Sequence, residues 1–279
     1  MKEITLKSWD EFQAEVTDLR SNIGIAVSPL LFRGQSNATW SLTTTLERAG
    51  WEGMAFASYC ACASRVRPAL EAYTGKVWDA PDYAPQIEVQ FQHFLAFDSF
   101  PSPALYRYFV YLRHHGFPSP LLDWSASPYV AAVFAFREVA QADQVAIFAY
   151  CESPQGFKQS GNSEPQIRRI GPYVRSDPRH FRQQSDYTIC GEFDQHWSFC
   201  NHEKVFSGGT DKQDFLRKYT IPCSERMKAL RFLNDYNLNT FSLFDTEESL
   251  METMWLREVE LKHTNAFPPP SSNAAHAAE

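Results

Sequence analysis

"LLFRGQSNATWSLTTTLER" (residues 30–48) runs from an apolar, strand-like segment directly into Arg33 and Gly34, then into a polar, turn-prone stretch. An arginine stays charged at any physiological pH, so one at the end of a buried strand needs a counter-charge or a ligand. "HHGFPSPLLDWSASPYVAAVFAF" (114–136) poses the same problem with the opposite sign, because Asp123 interrupts an extended apolar run. Two such segments suggest a site at the ends of two strands.

Working outward, Ile23 to Phe32 is rich in apolar and β-branched residues, which predicts a strand near 29–33. Leu121-Leu122-Asp123-Trp124 reads as a short extended segment. Ser127-Pro128 then opens a helix whose small residues, Ala131, Ala132 and Ala135, suit close packing on a sheet. Upstream, Ser8-Trp9-Asp10-Glu11 has the form of a capping box, and Phe12, Val16 and Leu19 follow at helical spacing. A helix over about 8–21 follows. The 3.6-residue periodicity predicts further helices over 53–72 and 85–114. Downstream, strands are expected over 143–151, 186–193 and 216–221, with helices over 224–236 and 247–260. Residues 152–180, rich in Pro and Gly, read as one long loop, the kind that often serves as a lid. The order of elements is that of a single α+β domain over 1–263. The Pro/Ser/Ala-rich tail, 264–279, is expected to be disordered.

With 44% hydrophobic and 15% aromatic residues, the 279-residue chain can bury a large core. A net charge of −7 excludes an overall basic field for gripping nucleic acid, although Arg168, Arg169, Arg175, Arg179 and Arg182 form a local basic run. No apolar segment reaches the roughly 18 residues of a membrane span, and the first residues carry no signal-peptide pattern. A cytoplasmic location without membrane attachment, with reduced cysteines, is the expectation. Cys200-Asn201-His202, with Cys190 and His196 nearby, lacks the paired half-sites of a zinc centre, so no metal is expected.

The two opening segments, together with "PRHFRQQSDYTI" (178–189) and "YTIPCSERMKALRFLNDYNLNTFSLF" (219–244), resemble in order the blocks of the FRG-domain family, named for the motif seen here as Phe32-Arg33-Gly34. Four positions depart from the family's pattern. Arg113 stands where a glutamine is usual, Ser119-Pro120 where Thr-Arg is usual, and Ser185 where a glycine follows two glutamines.

A second resemblance is to the ADP-ribosyltransferase superfamily, which draws its NAD site from an Arg or His on a first strand, a Ser on a later strand leading into a small-residue helix, and an acid at a third strand. Arg33 and Ser125 match the first two, with Ala131, Phe134 and Ala135 at the helix spacing. Asp186 matches the third, and Glu192 is its rival. This resemblance implies a central split mixed sheet surrounded by helices, NAD as substrate, and no metal. It implies catalytic roles for Arg33, Ser125 and Asp186 or Glu192. The residues placed around NAD are then Arg33, Gly34, Gln35 and His115, followed by Asp123, Trp124, Ser125, Gln184 and Tyr187.

Those residue types suit the chemistry. Cleavage of the nicotinamide–ribose bond leaves a sugar positive at its anomeric carbon. A guanidinium would hold the pyrophosphate, a hydroxyl the ribose, and a carboxylate the developing charge. The function this implies is an intracellular toxin or phage-defence effector that transfers ADP-ribose to a nucleic acid or protein, with an antitoxin as partner. The alternative is a catalytically inactive module that binds a nucleotide or a partner. Plainer roles also fit the residues: an Arg33–Asp123 ion pair without ligand, Trp124 as core, Ser125 and Ser127 as helix caps. A Ser/His/Asp hydrolase is disfavoured, since no G-x-S-x-G elbow is present.

Overall fold

The computed structural model describes residues 1–23, 28–82, 89–138, 142–154, 156, 164–175, 177–207 and 214–263. Strands β1 (Lys2–Thr5), β2 (Leu30–Gln35), β3 (Leu122–Ser125), β4 (Gln144–Cys151), β5 (Gln166–Arg169), β6 (Ser185–Asp194), β7 (His196–Phe199) and β8 (Phe215–Pro222) form one mixed sheet. The spatial order is β1-β8-β4-β2-β3-β6-β5, with β7 also on β6. Among the described residues only β1 and β8 pair in parallel. The class is α+β, as expected. β6 pairs along one edge with β3 and then β7, and along the other with β5.

Helix α1 (Trp9–Ile23) forms where the capping signal placed it. Ser8 Oγ accepts the Glu11 amide, while the Glu11 carboxylate reaches back one residue further than a box requires, to the Lys7 amide at 2.7 Å. Short helix α2 (Thr45–Arg48) and helix α3 (Phe56–Thr74) follow. The helix expected over 85–114 is not continuous. Residues 83–88 lie outside the described set, and α4 (Ala96–Ser99) ends before Pro101. A second helix, α5 (Pro103–His114), then starts with a fresh cap from Ser102. Proline lacks the amide that would carry the helix through. The long loop expected over 152–180 is also broken up, since it contributes β5 and the start of α7 (Pro178–Arg182). Helices α6 (Pro128–Phe136), α8 (Arg226–Asp235), α9 (Thr240–Phe244) and α10 (Glu247–Trp255) complete the set the site needs. The expectation for 264–279 lies outside the described residues.

One face of the sheet carries Phe32, Ile147, Ala149 and Tyr219 against Trp9, Phe12, Phe136 and Leu233 from the covering helices. The other carries Leu31, Trp124, Phe148, Tyr150 and Leu216. A third cluster packs α3 and α5 on β6 and β7 through Phe56, Tyr59, Phe109, Ile189 and Trp197. Burying each of the large aliphatic and Phe side chains among these contributes about 1.5–3 kcal/mol. The join that matters most is between α6 and β2. A Cβ on Gly34 would stand 1.8 Å from the Ala131 carbonyl oxygen, so only glycine lets the strand lie this close to the alanine face.

No helix among the described residues is long and apolar enough to cross a membrane.

Candidate functional site

β2 and β3 meet in register at one residue pair, Phe32 with Ser125. The Arg33 guanidinium takes over from the ladder beyond that pair. Its Nη1 donates to the Asp123 main-chain oxygen at 2.9 Å and to Asp123 Oδ1 at 2.8 Å. A second guanidinium comes from the last turn of α5, where Arg113 Nη2 bonds the same Oδ1 and Nη1 donates to Thr45 Oγ1 at 3.1 Å. Burial alone would raise the Asp123 pKa. The Arg113 and Arg33 charges outweigh it and hold the carboxyl well below the usual carboxylate range. The side chain keeps 42% of its surface exposed, so the two guanidiniums, rather than desolvation, decide the direction.

Arg48 lies in the same neighbourhood. Its pKa is lowered by burial and then by Arg33 and Arg113. Glu47 also acts on Arg48, in the opposite sense, so two guanidiniums, Arg33 and Arg113, are the ones in direct contact with Asp123. The balance favours an anion. Arg33 Nε is buried with no partner among the described residues, although a buried donor normally has one.

Beside this cluster lies a hollow of about 110 Å³, lined by Arg33, Gly34, Asp123, Trp124, Ser125, Ala131, Phe134, Gln183 and Ser185, with Phe32 at its edge. Ser125 and Ser185 stand directly opposite each other on paired strands and so share a face. Ser125 Oγ donates to the Gln183 carbonyl at 2.8 Å and accepts the Ser127 amide at 3.0 Å. Ser127 Oγ caps α6 by accepting the Val130 amide. The turn from α7 into β6 places Gln184 at φ 47, and it turns Gln183 toward the hollow. Gln183 Nε2 ties this turn to the Leu243 carbonyl at the end of α9.

The structure therefore brings together Arg33, Gly34, Asp123, Trp124 and Ser125 from the expected set. It places the others elsewhere. Asp186 lies opposite Trp124, one residue out of phase with Ser185, so it projects to the other face of the sheet. There it is buried. Its Oδ2 takes Arg169 Nε at 2.8 Å and Nη2 at 2.6 Å, and Oδ1 accepts the Tyr187 amide. Burial raises its pKa in spite of Arg169. Glu192 is six residues further along β6, roughly 20 Å away at the rise of a strand, and pairs with Lys204 Nζ at 2.5 Å. Tyr187 stands opposite Asp123, but its hydroxyl meets His114 Nε2 at 2.8 Å and its ring stacks on His180. His115 is exposed and packs on Tyr111. Gln35 donates to the Ser41 carbonyl, and Gln184 does not line the hollow.

Trp124 serves two surfaces. It walls the hollow, and on the far face it stacks on Tyr150 and donates from Nε1 to Thr188 Oγ1 at 2.8 Å. Thr188 in turn meets His202 Nε2 at 2.9 Å. Burial pushes the His202 pKa down to about 3, so this ring is neutral.

The basic run is mostly spent inside the fold. Arg168 donates to the Phe97 carbonyl, Arg169 to Asp186, Arg179 to the His114 carbonyl, and Arg182 pairs with Asp245. Arg175 is exposed. Among the described residues no group of three or more His, Cys, Asp or Glu side chains could hold a metal ion.

Arg113 was legible only as a departure from a family pattern, yet it is the second cation on Asp123. Ser185 and Phe134 were not singled out as ligand contacts, and only strand register reveals Ser185.

Residues 28–144 match the FRG-domain family model. The match contains Arg33, Gly34, Asp123, Trp124 and Ser125 and ends before β5 and β6. No curated protein and no solved structure matches the chain.

Proposed function

We propose that the chain binds an anionic ribonucleotide, with NAD the leading candidate, at the junction of β2, β3 and β6 in a sheet of ADP-ribosyltransferase type. One observation carries this reading: Arg33 and Ser125, far apart in sequence, sit on paired strands at the edge of one hollow, with the Arg113 guanidinium beside Arg33 on Asp123. Arg33, with its unpartnered Nε, faces the phosphates. Ser125 and Ser185 bracket the sugar.

Binding is favoured over turnover for two reasons. The expected acid, Asp186, does not line the hollow and is buried in a fork with Arg169. The hollow is also smaller than the roughly 300–1,000 Å³ of ordinary ligand pockets, so a dinucleotide must widen it. The hinge for that is the turn between α7 and β6, held to α9 by Gln183–Leu243 and Arg182–Asp245.

Calorimetric titration of the pure protein with NAD and with ADP-ribose tests the reading. Both should bind, and Arg33→Ala should abolish binding while circular dichroism stays unchanged. Absence of heat with either ligand at millimolar concentration would refute it.

A second reading, transfer of ADP-ribose to a nucleic acid or protein by a toxin or defence effector, has its own support. The strands bearing Arg33, Ser125 and Asp186 are immediate neighbours in that order. Release of nicotinamide, with label passing from NAD to a protein, RNA or DNA pool, would establish it. An antitoxin partner belongs to this second reading alone.

A further inference from the structure

Asp123 lines the hollow, but its contacts look at first like those of a purely structural anion, since two arginines converge on it. Both guanidiniums, however, go to Oδ1. Among the described residues no side chain donates to Oδ2, and 42% of the side chain stays exposed. A carboxylate held ionised by two fixed cations is an acceptor at every pH the protein meets, because it has no proton of its own to give.

The rest of the lining offers little competition. The Ser125 hydroxyl has already given its proton to the Gln183 carbonyl and accepts the Ser127 amide. Neither Asp186 nor Glu192 lines the hollow. Beside the Ser185 hydroxyl, the hollow's chemistry is one charged acceptor and a guanidinium whose Nε–H lacks a partner among the described residues. A ligand that satisfies both carries hydroxyl donors a few bonds from an anionic oxygen. A ribose phosphate is such a ligand, and a 2-deoxyribose phosphate has one donor fewer.

We infer that Asp123 is the specificity-determining residue of this site, that it accepts hydrogen bonds from ribose hydroxyls, and that it thereby selects ribo- over deoxyribo-phosphates. The inference rests on the nucleotide-binding reading and refines it. A hollow of about 110 Å³ suits a single pentose ring better than a base and sugar together. The sugar phosphate is therefore the fragment recognised here.

The test uses the full chain and two probes, ribose 5-phosphate and 2-deoxyribose 5-phosphate, titrated by calorimetry or by NMR shift. A hydrogen bond to a charged acceptor predicts that the ribose compound binds about tenfold more tightly or better. In Asp123→Asn the ratio of the two affinities should fall to within about twofold of unity, because a neutral amide accepts more weakly. A merely structural role would look different: loss of the Arg33 anchor would weaken both probes by the same factor and leave their ratio unchanged.

Equal binding of the two probes by the wild-type chain, with NAD binding intact, would overturn the role of Asp123 and leave the nucleotide site standing. Failure of NAD and both probes to bind would overturn the nucleotide reading itself. Should Asp123→Asn fail to fold, the wild-type ratio still decides, since a value near unity refutes the inference and about tenfold or more supports it.

Discussion

Gly34→Ala is the smallest change that tests how the site is built. The added methyl would lie 1.8 Å from Ala131 O, 2.8 Å from Ala135 N and 2.9 Å from Ala131 C. All three atoms are backbone of α6, so no side chain can rotate away. Reaching even about 3.0 Å from the carbonyl oxygen requires α6 to retreat by roughly 1.2 Å from β2, opening a seam along Phe32, Ala131 and Ala135 in a close-packed core. Overpacking typically costs about 1–3 kcal/mol when side chains can adjust. A clash confined to backbone belongs at or above the top of that range, about 3 kcal/mol or more. Against a total stability of about 5–15 kcal/mol, this should lower the melting temperature by roughly 6–12 °C at the usual scaling of about 2–4 °C per kcal/mol for a domain this large. Because Ala131 and Phe134 line the hollow, ligand affinity should fall together with stability. Urea unfolding and thermal melts followed by circular dichroism measure the first effect, and NAD titration the second. A Gly34→Ala protein within about 1 kcal/mol of the parent would refute the close β2–α6 contact and with it the account of why glycine follows Arg33.

Other perturbations separate the roles assigned to the acids and histidines. Asp186→Asn leaves the Arg169 guanidinium buried without its carboxylate. It should cost about 3–5 kcal/mol in urea unfolding, and full stability would show that the Arg169–Asp186 fork is not a structural pair. Glu192→Gln removes a half-exposed pair with Lys204 and should change stability by less than about 1 kcal/mol. It should leave nucleotide affinity unchanged in the same titration, whereas a lost affinity would bring β6's far end into the site. His202 has a folded pKa near 3 against 6.5 ordinarily, so below pH 6.5 the unfolded chain binds a proton the folded one refuses. Stability is full above that pH and falls on acidification. The loss from this one ring should reach about 2 kcal/mol between pH 7 and pH 5, and a His202→Gln variant should lose correspondingly less over the same interval. An equal acid loss in that variant would place the proton uptake elsewhere.

How far the sequence discloses this site depends on which kind of signal each residue left. Arg33 and Asp123 were legible because a charge at the end of an apolar run is costly wherever it is not answered. The structure answers each with the other and adds Arg113. The small-residue helix after Ser127 was legible because alanines at that spacing have one obvious use, and Gly34 shows the other half of the contact. The periodicity over 85–114 persists across Pro101 although a helix cannot, and Pro103 is tolerated because it stands in the first turn of α5.

The position of the acid was beyond reach for a different reason. A strand with one wet face alternates polar and apolar residues, and that alternation assigns each side chain to a face. β6 is buried at every residue from Ser185 to Gly191, so no such pattern exists and Asp186 could point either way. Only the pairing of Ser125 with Ser185 fixes it. One residue of register separates a carboxylate in the hollow from one behind the sheet. The same register sets Tyr187 opposite Asp123, leaving Asp123 as the carboxylate on the hollow's side. If this chain uses a carboxylate on a sugar, the one that lines the hollow is Asp123 on β3, the strand that also carries Ser125, and not an acid of the third strand where the transferase pattern places it.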